Sequence, residues 1–137
     1  MSTYVSDNLR SFVTKRAEFR CEYCLLPDIG SFISFQIDHI RSIKHGGLTT
    51  EGNLAFCCPN CNRYKGTDLG TRLSDDVLLT PFFNPRKDNW TGHFEFENGV
   101  IYPKTKIGEA TALVFQMNTV ERIIERQALF AQGRYRI

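Results

Sequence analysis

No stretch of this chain approaches the roughly 20 consecutive apolar residues that a membrane-spanning helix requires. Residues Met1 to Arg20 carry charges throughout and lack the apolar centre of a secretory signal. These absences set aside a membrane partner and point to an intracellular, cytoplasmic protein, in which thiols stay reduced. Charge of one sign is scarce as well: 17 Lys and Arg against 15 Asp and Glu leave a net charge of +2. That balance alone does not argue for a nucleic-acid partner. Placement says more, because Arg41, Lys44, Arg63, Lys65, Arg72, Arg86 and Lys87 fall within or just after the richest motif region. Internal repeats and low-complexity tracts are missing too.

What is present suits a small globular protein. With 137 residues, 42% of them hydrophobic and 12% aromatic, the chain fits one domain, or a core with an extension. A chain of this size hides surface only moderately well, so a covalent or metal staple would help it. The five cysteines supply candidates. Cys21 and Cys24 are separated by two residues, as are Cys58 and Cys61. That spacing lets both thiolates of a pair reach one ion, and two pairs complete a tetrahedral, fully protein-ligated zinc shell with no open position. The competing reading is two unrelated pairs of buried cysteines. A redox CxxC is disfavoured because neither pair sits in a thioredoxin-like βαβ context. Cys57 is the odd thiol and is expected to pack as a small buried hydrophobe on a strand.

Asp7 to Phe19 reads as a helix with Ser6 or Asp7 as N-cap and Leu9, Phe12, Val13 and Arg16 on one stripe. Ser31 to Ile40 alternates as a strand, Lys44 to Gly52 is a polar loop with Gly46-Gly47, Asn53 to Cys57 is a second strand and Asn60 to Leu69 a helix. A composition shift over Leu69 to Pro81 suggests two parts, residues 1–70 and an extension, residues 71–137, packing on it. Within the extension, His93 to Glu97 and Val100 to Tyr102 flank the hairpin signal Asn98-Gly99. Gly108 to Met117 and Asn118 to Gln132 then read as helices. The last has Asn118 as N-cap, Glu121 at N3 and Val120, Ile123, Ile124 and Leu129 as its buried stripe. Trp90, Phe94 and Phe96 are expected to build a core rather than stack on bases. His45 is expected to be solvated and His93 structural, while Arg86 and Lys87 extend a possible backbone track.

Between the cysteine pairs lie Phe35-Gln36-Ile37-Asp38-His39-Ile40, Gly46-Gly47 and Asn53-Leu54, followed by Cys58-Pro59-Asn60-Cys61-Asn62-Arg63-Tyr64-Lys65-Gly66. This order of CxxC, DH, GG, NL and CxxCNxxKG, over Phe19 to Gly66, resembles the cysteine-bearing form of the HNH endonuclease family. The resemblance implies an α+β fold with a ββα-metal (His-Me finger) core stapled by a four-cysteine zinc site, followed here by a β-hairpin and helices. It implies DNA phosphodiester hydrolysis, with His39 as general base, Asp38 and Asn62 as ligands of one catalytic ion and Asn53 as the residue that orients the loop. The residue types suit those roles. Imidazole is a base near neutral pH, and carboxylate and amide oxygens are the hard donors that Mg2+ or Mn2+ prefers. Arg63, Lys65 and Lys44 would contact phosphates. The sequence departs from the family's name at its third letter, where Asn62 stands instead of histidine; the identity of the preferred ion turns on that position. Asp38 and His39, as strand neighbours, would ordinarily face opposite sides. RNA as substrate stays open, as does the choice between monomer and homodimer. The alternative from another class is a non-catalytic zinc-stabilised module that binds nucleic acid.

Overall fold

The computed structural model describes residues 4–30, 32–74 and 76–137. Its contacts divide the chain into two compact units, Met1–Leu69 and Gly70–Ile137. Strands and helices mix in both, and every ladder among the described residues is a two-stranded antiparallel one. The fold is α+β, and no helix among the described residues is long and apolar enough to cross a membrane.

In the first unit, α1 (Asp7–Arg16) starts where the Ser6 hydroxyl accepts the Leu9 N–H at 3.1 Å, with Asp7 in the first turn and Lys15 and Arg16 in the last, as the helix dipole favours. It ends three residues before the expected Phe19, because Glu18 and Phe19 both adopt positive φ. Val13 is its buried anchor. Arg16 ties the helix onward by donating to the carbonyls of Glu51 at 2.9 Å and Leu54 at 2.7 Å.

The central hairpin is β1 (Gln36–His39) and β2 (Leu54–Cys57), with Asp38 opposite Ala55 and His39 opposite Leu54. The strand expected over 31–40 is thus four residues long, since β2 offers a partner for no more; Ser31 lies outside the described residues. Phe35 packs on Phe56 with ring centroids 5.1 Å apart. Two 3-10 turns, Ile43–His45 and Glu51–Asn53, fill the connection. The glycine pair sits between them for a steric reason. Gly46 closes the first turn in the left-handed region, and any Cβ on Gly47 would lie 1.7 Å from the Arg41 carbonyl oxygen. Helix α2 (Pro59–Lys65) follows, with Cys58 as N-cap and Pro59 in the first turn, and it stops at Gly66 with φ +53 rather than running to Leu69. Strand, strand, helix is the order that matters for the site.

The second unit has a short ladder of β3 (Gly70–Thr71) and β4 (Thr80–Pro81), a single turn α3 (Trp90–His93), the hairpin β5 (Phe94–Glu97) and β6 (Val100–Pro103), then α4 (Lys106–Val114) and α5 (Val120–Ala131). Asn98 and Gly99 both have positive φ, as the tight hairpin turn demands. Aromatic rings fill the interior: Phe82 meets Phe115 edge-on at 5.1 Å, Phe83 meets Phe94 at 5.6 Å, and Trp90 lies 5.1 Å from Phe94. Two expectations for α5 are corrected. Its N-cap is Thr119, while the Asn118 side chain bridges the backbone of Ile101 at 2.9 and 2.8 Å. Its buried positions are Arg122, Arg126 and Leu129, with Val120 and Ile124 more than half exposed. The arginines turn inward because carbonyls after the end of α4 and in the hairpin turn need donors: Arg122 reaches those of Phe115 and Gln116, and Arg126 those of Met117 and, in the turn, Gly99. Apolar periodicity is blind to that demand.

Candidate active site

The two cysteine pairs meet. Cys21 and Cys24 lie on a tight turn after α1, where the Leu25 N–H donates to the Cys21 carbonyl and Leu25 takes positive φ. Glu22 fastens this turn to β2, its carboxylate accepting the Phe56 N–H at 2.8 Å and its own N–H reaching the Phe56 carbonyl at 2.9 Å. Cys58 and Cys61 open α2, and the Cys58 sulfur accepts the Cys61 N–H at 3.4 Å. All four sulfurs are buried and within 4.8 Å of one another, with those of Cys24 and Cys58 3.6 Å apart. Four thiolates around one zinc ion at about 2.3 Å would stand roughly 3.8 Å from each other, so the cluster is already the right size for that ion. The electrostatics agree. Burial opposes charging Cys21, but bonds offered by Cys24, Cys57, Cys58 and Cys61 hold its thiol well below the ordinary value; burial and bonding to Cys21 push Cys61 well above it. Without a dication the four cannot all ionise. Cys57 is buried beside them, its sulfur directed at the Cys58 carbonyl.

Next to this cluster a cleft of about 260 Å³ is lined by Asp38, His39, Ser42, Lys44 and Asn62, with Ile37, Ile43, Gly66 and Thr67 completing it. The end of β1 supplies Asp38 and His39, the following turn supplies Lys44, and α2 supplies Asn62 one residue after a cysteine of the cluster. The strand neighbours Asp38 and His39 therefore border one space despite their opposite pleats. Asp38 is 5% exposed. Its Oδ2 accepts from the Tyr23 hydroxyl at 2.6 Å and its Oδ1 from the Lys65 Nζ at 3.2 Å. Burial raises the Asp38 carboxyl above its usual range, against the lowering pull of Lys65 and Tyr23. Burial, then the Asp38 charge, raise Tyr23 well above an ordinary phenol, so it remains the donor. The His39 imidazole is half-buried and pairs through Nε2 with the Thr49 hydroxyl at 2.9 Å. Desolvation lowers its pKa, with Asp38 opposing and Lys65 assisting the shift.

Asn53 holds the loop across the top of the hairpin. Its Nδ2 donates to the carbonyls of Leu48 at 2.8 Å and Arg41 at 2.9 Å, and its Oδ1 accepts the Arg41 N–H at 2.9 Å. No hydrogen bond joins its side chain to His39; the ring's partner is Thr49, a residue that sequence reasoning passed over. Lys65 departs furthest from expectation. A phosphate contact requires an exposed ammonium, yet Lys65 is 2% exposed and spends its donors on Asp38 and on the His39 carbonyl at 3.0 Å. Helical position alone cannot tell a solvated lysine from one folded under its own helix. Arg63 is exposed, with its guanidinium over the Tyr64 ring at 4.8 Å, and Lys44 is exposed at the cleft. Tyr23 was also missed, although its place inside the first cysteine pair was the available clue.

The donor set at the cleft is hard and oxygen-rich, and each Asp38 oxygen accepts one hydrogen bond from the protein, which leaves lone pairs for an ion. With Asn62 on the same cleft, the residues fit a divalent ion of the magnesium or manganese kind. A comparison with known families gives this architecture its class: the model of the HNH endonuclease family matches residues 21–68, from the first cysteine of the cluster to just past α2. That segment carries the HNH-family match, which supports a function of the nuclease kind. No curated protein matches the chain.

Proposed function

We propose that residues 21–68 form a one-metal nuclease site that hydrolyses phosphodiester bonds of DNA, stapled by a structural zinc ion on Cys21, Cys24, Cys58 and Cys61. The observation that carries this reading is the shared cleft, where one imidazole, one carboxylate and one amide oxygen border a space open to solvent. Asp38 and Asn62 would hold Mg2+ or Mn2+, which supplies Lewis acidity for the phosphate and the departing oxygen when bound. His39 is the base. In the tautomer whose Nε2 donates to the Thr49 hydroxyl, the lone pair lies on Nδ1 and is available to take a proton from water. Asn53 fixes the loop that carries Thr49 and thereby acts on the ring through one intermediate. Lys44, at the rim, and Arg63, on the outer face of α2, bind backbone phosphates. Binding dominated by such contacts weakens steeply with salt and reads little sequence. Buried metal-ready thiols suit a reducing, intracellular setting.

The test is plasmid cleavage in Mg2+ or Mn2+ with the full chain and with His39→Ala. A base contributes on the order of 10²–10⁴-fold to rate, so the variant should lose cleavage while keeping its zinc. Equal nicking by both proteins would remove His39 from the role. The reading from another class, a zinc module that only binds nucleic acid, predicts no cleavage under any divalent ion and binding indifferent to it.

A further inference from the structure

The carboxylate of Asp38 is held from two sides, and both holders lie on segments that carry the cysteine cluster. Tyr23 stands between Cys21 and Cys24, and its hydroxyl meets Oδ2 at 2.6 Å. Lys65 ends the helix that Cys58 and Cys61 begin, and its ammonium meets Oδ1 at 3.2 Å and the His39 carbonyl at 3.0 Å. Tyr23 is fully buried and Lys65 is 2% exposed, so neither can meet substrate from where it sits. Across the hairpin from Asp38 is Ala55, the smallest side chain of β2. We infer that Tyr23 and Lys65 are positioning residues that clamp Asp38 in the one orientation that presents it to the ion, so that the cysteine cluster sets the geometry of the catalytic carboxylate as well as the stability of the fold.

The chemistry explains why two different donors are used. A lone buried carboxylate swings about its final torsion, and a single hydrogen bond leaves that rotation soft. Bonds to both oxygens from separate elements fix the plane, and each oxygen keeps lone-pair capacity. The lysine adds a compact charge that offsets the buried carboxylate, and its second bond to the His39 carbonyl pins the strand end where base and ligand adjoin. Asn62, the other donor for the ion, immediately follows Cys61. Each oxygen donor is therefore placed through a segment that the thiolates anchor.

This inference rests on the nuclease reading, and its test separates the two. Tyr23→Phe keeps the buried ring and removes one hydroxyl. Its zinc content, its Mn2+ affinity by electron paramagnetic resonance on the protein alone, and its kcat and KM on plasmid are compared with wild type. Loss of an outer-shell partner typically costs about 10–100-fold in metal affinity or activity. The variant should retain zinc, bind Mn2+ about tenfold more weakly and show a matching fall in kcat at unchanged KM. Lys65→Met should likewise lower kcat with KM and its salt dependence preserved. A Tyr23→Phe protein that binds Mn2+ and cleaves as wild type overturns the inference, as does one that loses its zinc, for then the hydroxyl serves folding alone. A raised KM and a shallower salt slope in Lys65→Met would return that lysine to the phosphates and overturn its part. If Lys65→Met does not fold, Tyr23→Phe decides. Wild-type protein that neither binds Mn2+ nor cuts would instead strike down the nuclease reading beneath both.

Discussion

The segment that ends at Leu69 and the one that begins at Gly70 are nearly equal in length, yet they bury different things. The interior of the first contains Cys21, Cys24, Cys57, Cys58 and Cys61 beside a few larger residues, Val13, Tyr23, Leu54 and Phe56 among them, and it encloses the Asp38–Lys65 pair. The interior of the second contains Phe82, Phe83, Phe94, Phe115, Ile101 and Met117. Apolar burial yields about 25 cal/mol per Å², and an interior rich in thiols has little large apolar surface to hide. With zinc on its four thiolates, as proposed, the first segment would depend on a bonded ion for what the second obtains from rings. The benefit of that dependence would be positional: a tetrahedral centre would fix two chain segments against each other, and a cleft of converging polar groups requires such rigid support.

The largest effect should come from removing the ion. Structural zinc contributes on the order of 10 kcal/mol or more to the folding of small domains, so a strong chelator should unfold the first segment. The chain contains one tryptophan, Trp90, and it lies in the second segment against Phe94. Chelation should therefore reduce helical circular dichroism while Trp90 emission stays in place. If emission shifts in step with helix loss, the two segments do not differ as their interiors suggest.

The converse change is smaller. Phe115→Ala removes a fully buried ring that meets Phe82 edge-on and should cost about 3–5 kcal/mol. Its expected signature is a lower thermal midpoint reported by Trp90 with zinc content unchanged. Zinc release at the same temperature as the Trp90 transition would show one cooperative unit and break the contrast.

The same contrast explains what could be read from residues alone. Both cysteine pairs, the hairpin at Asn98-Gly99 and the strand–strand–helix order depend on local spacing and turn chemistry, and all three are found. The helix ends were misjudged where backbone conformation governs, as at Glu18 and Phe19. The deeper misses share one cause. Lys65, Arg122 and Arg126 all carry charge and all lie inside, because each answers a carbonyl or carboxylate that the folded chain brings to it. A pattern of polar and apolar letters assigns such residues to the surface, since the groups that call them inward appear only once the chain has folded. Thr49 and Tyr23 escaped notice for the same reason: ten and fifteen residues separate them from His39 and Asp38.

The smallest expected effect is a displacement in pH, and it belongs to the first segment alone. Desolvation, with help from Lys65, lowers the His39 pKa in the folded protein, and Asp38 only partly opposes it. A general base must be neutral to accept a proton, so a lowered pKa keeps the imidazole competent to more acid conditions than an ordinary histidine, whose value is about 6.5. A divalent ion on Asp38 would screen the one opposing charge and push in the same direction. The acid limb of kcat/KM against pH should accordingly have its midpoint below about 6.5 and disappear in His39→Ala along with the activity. A limb above that value would mean that the Asp38 charge outweighs desolvation at the ring. The Asp38–Lys65 pairing would then be too weak to hold the carboxylate away from the imidazole. Helical circular dichroism, followed over the same range, serves as the internal reference: a limb that tracks it would report unfolding of the first segment rather than the base.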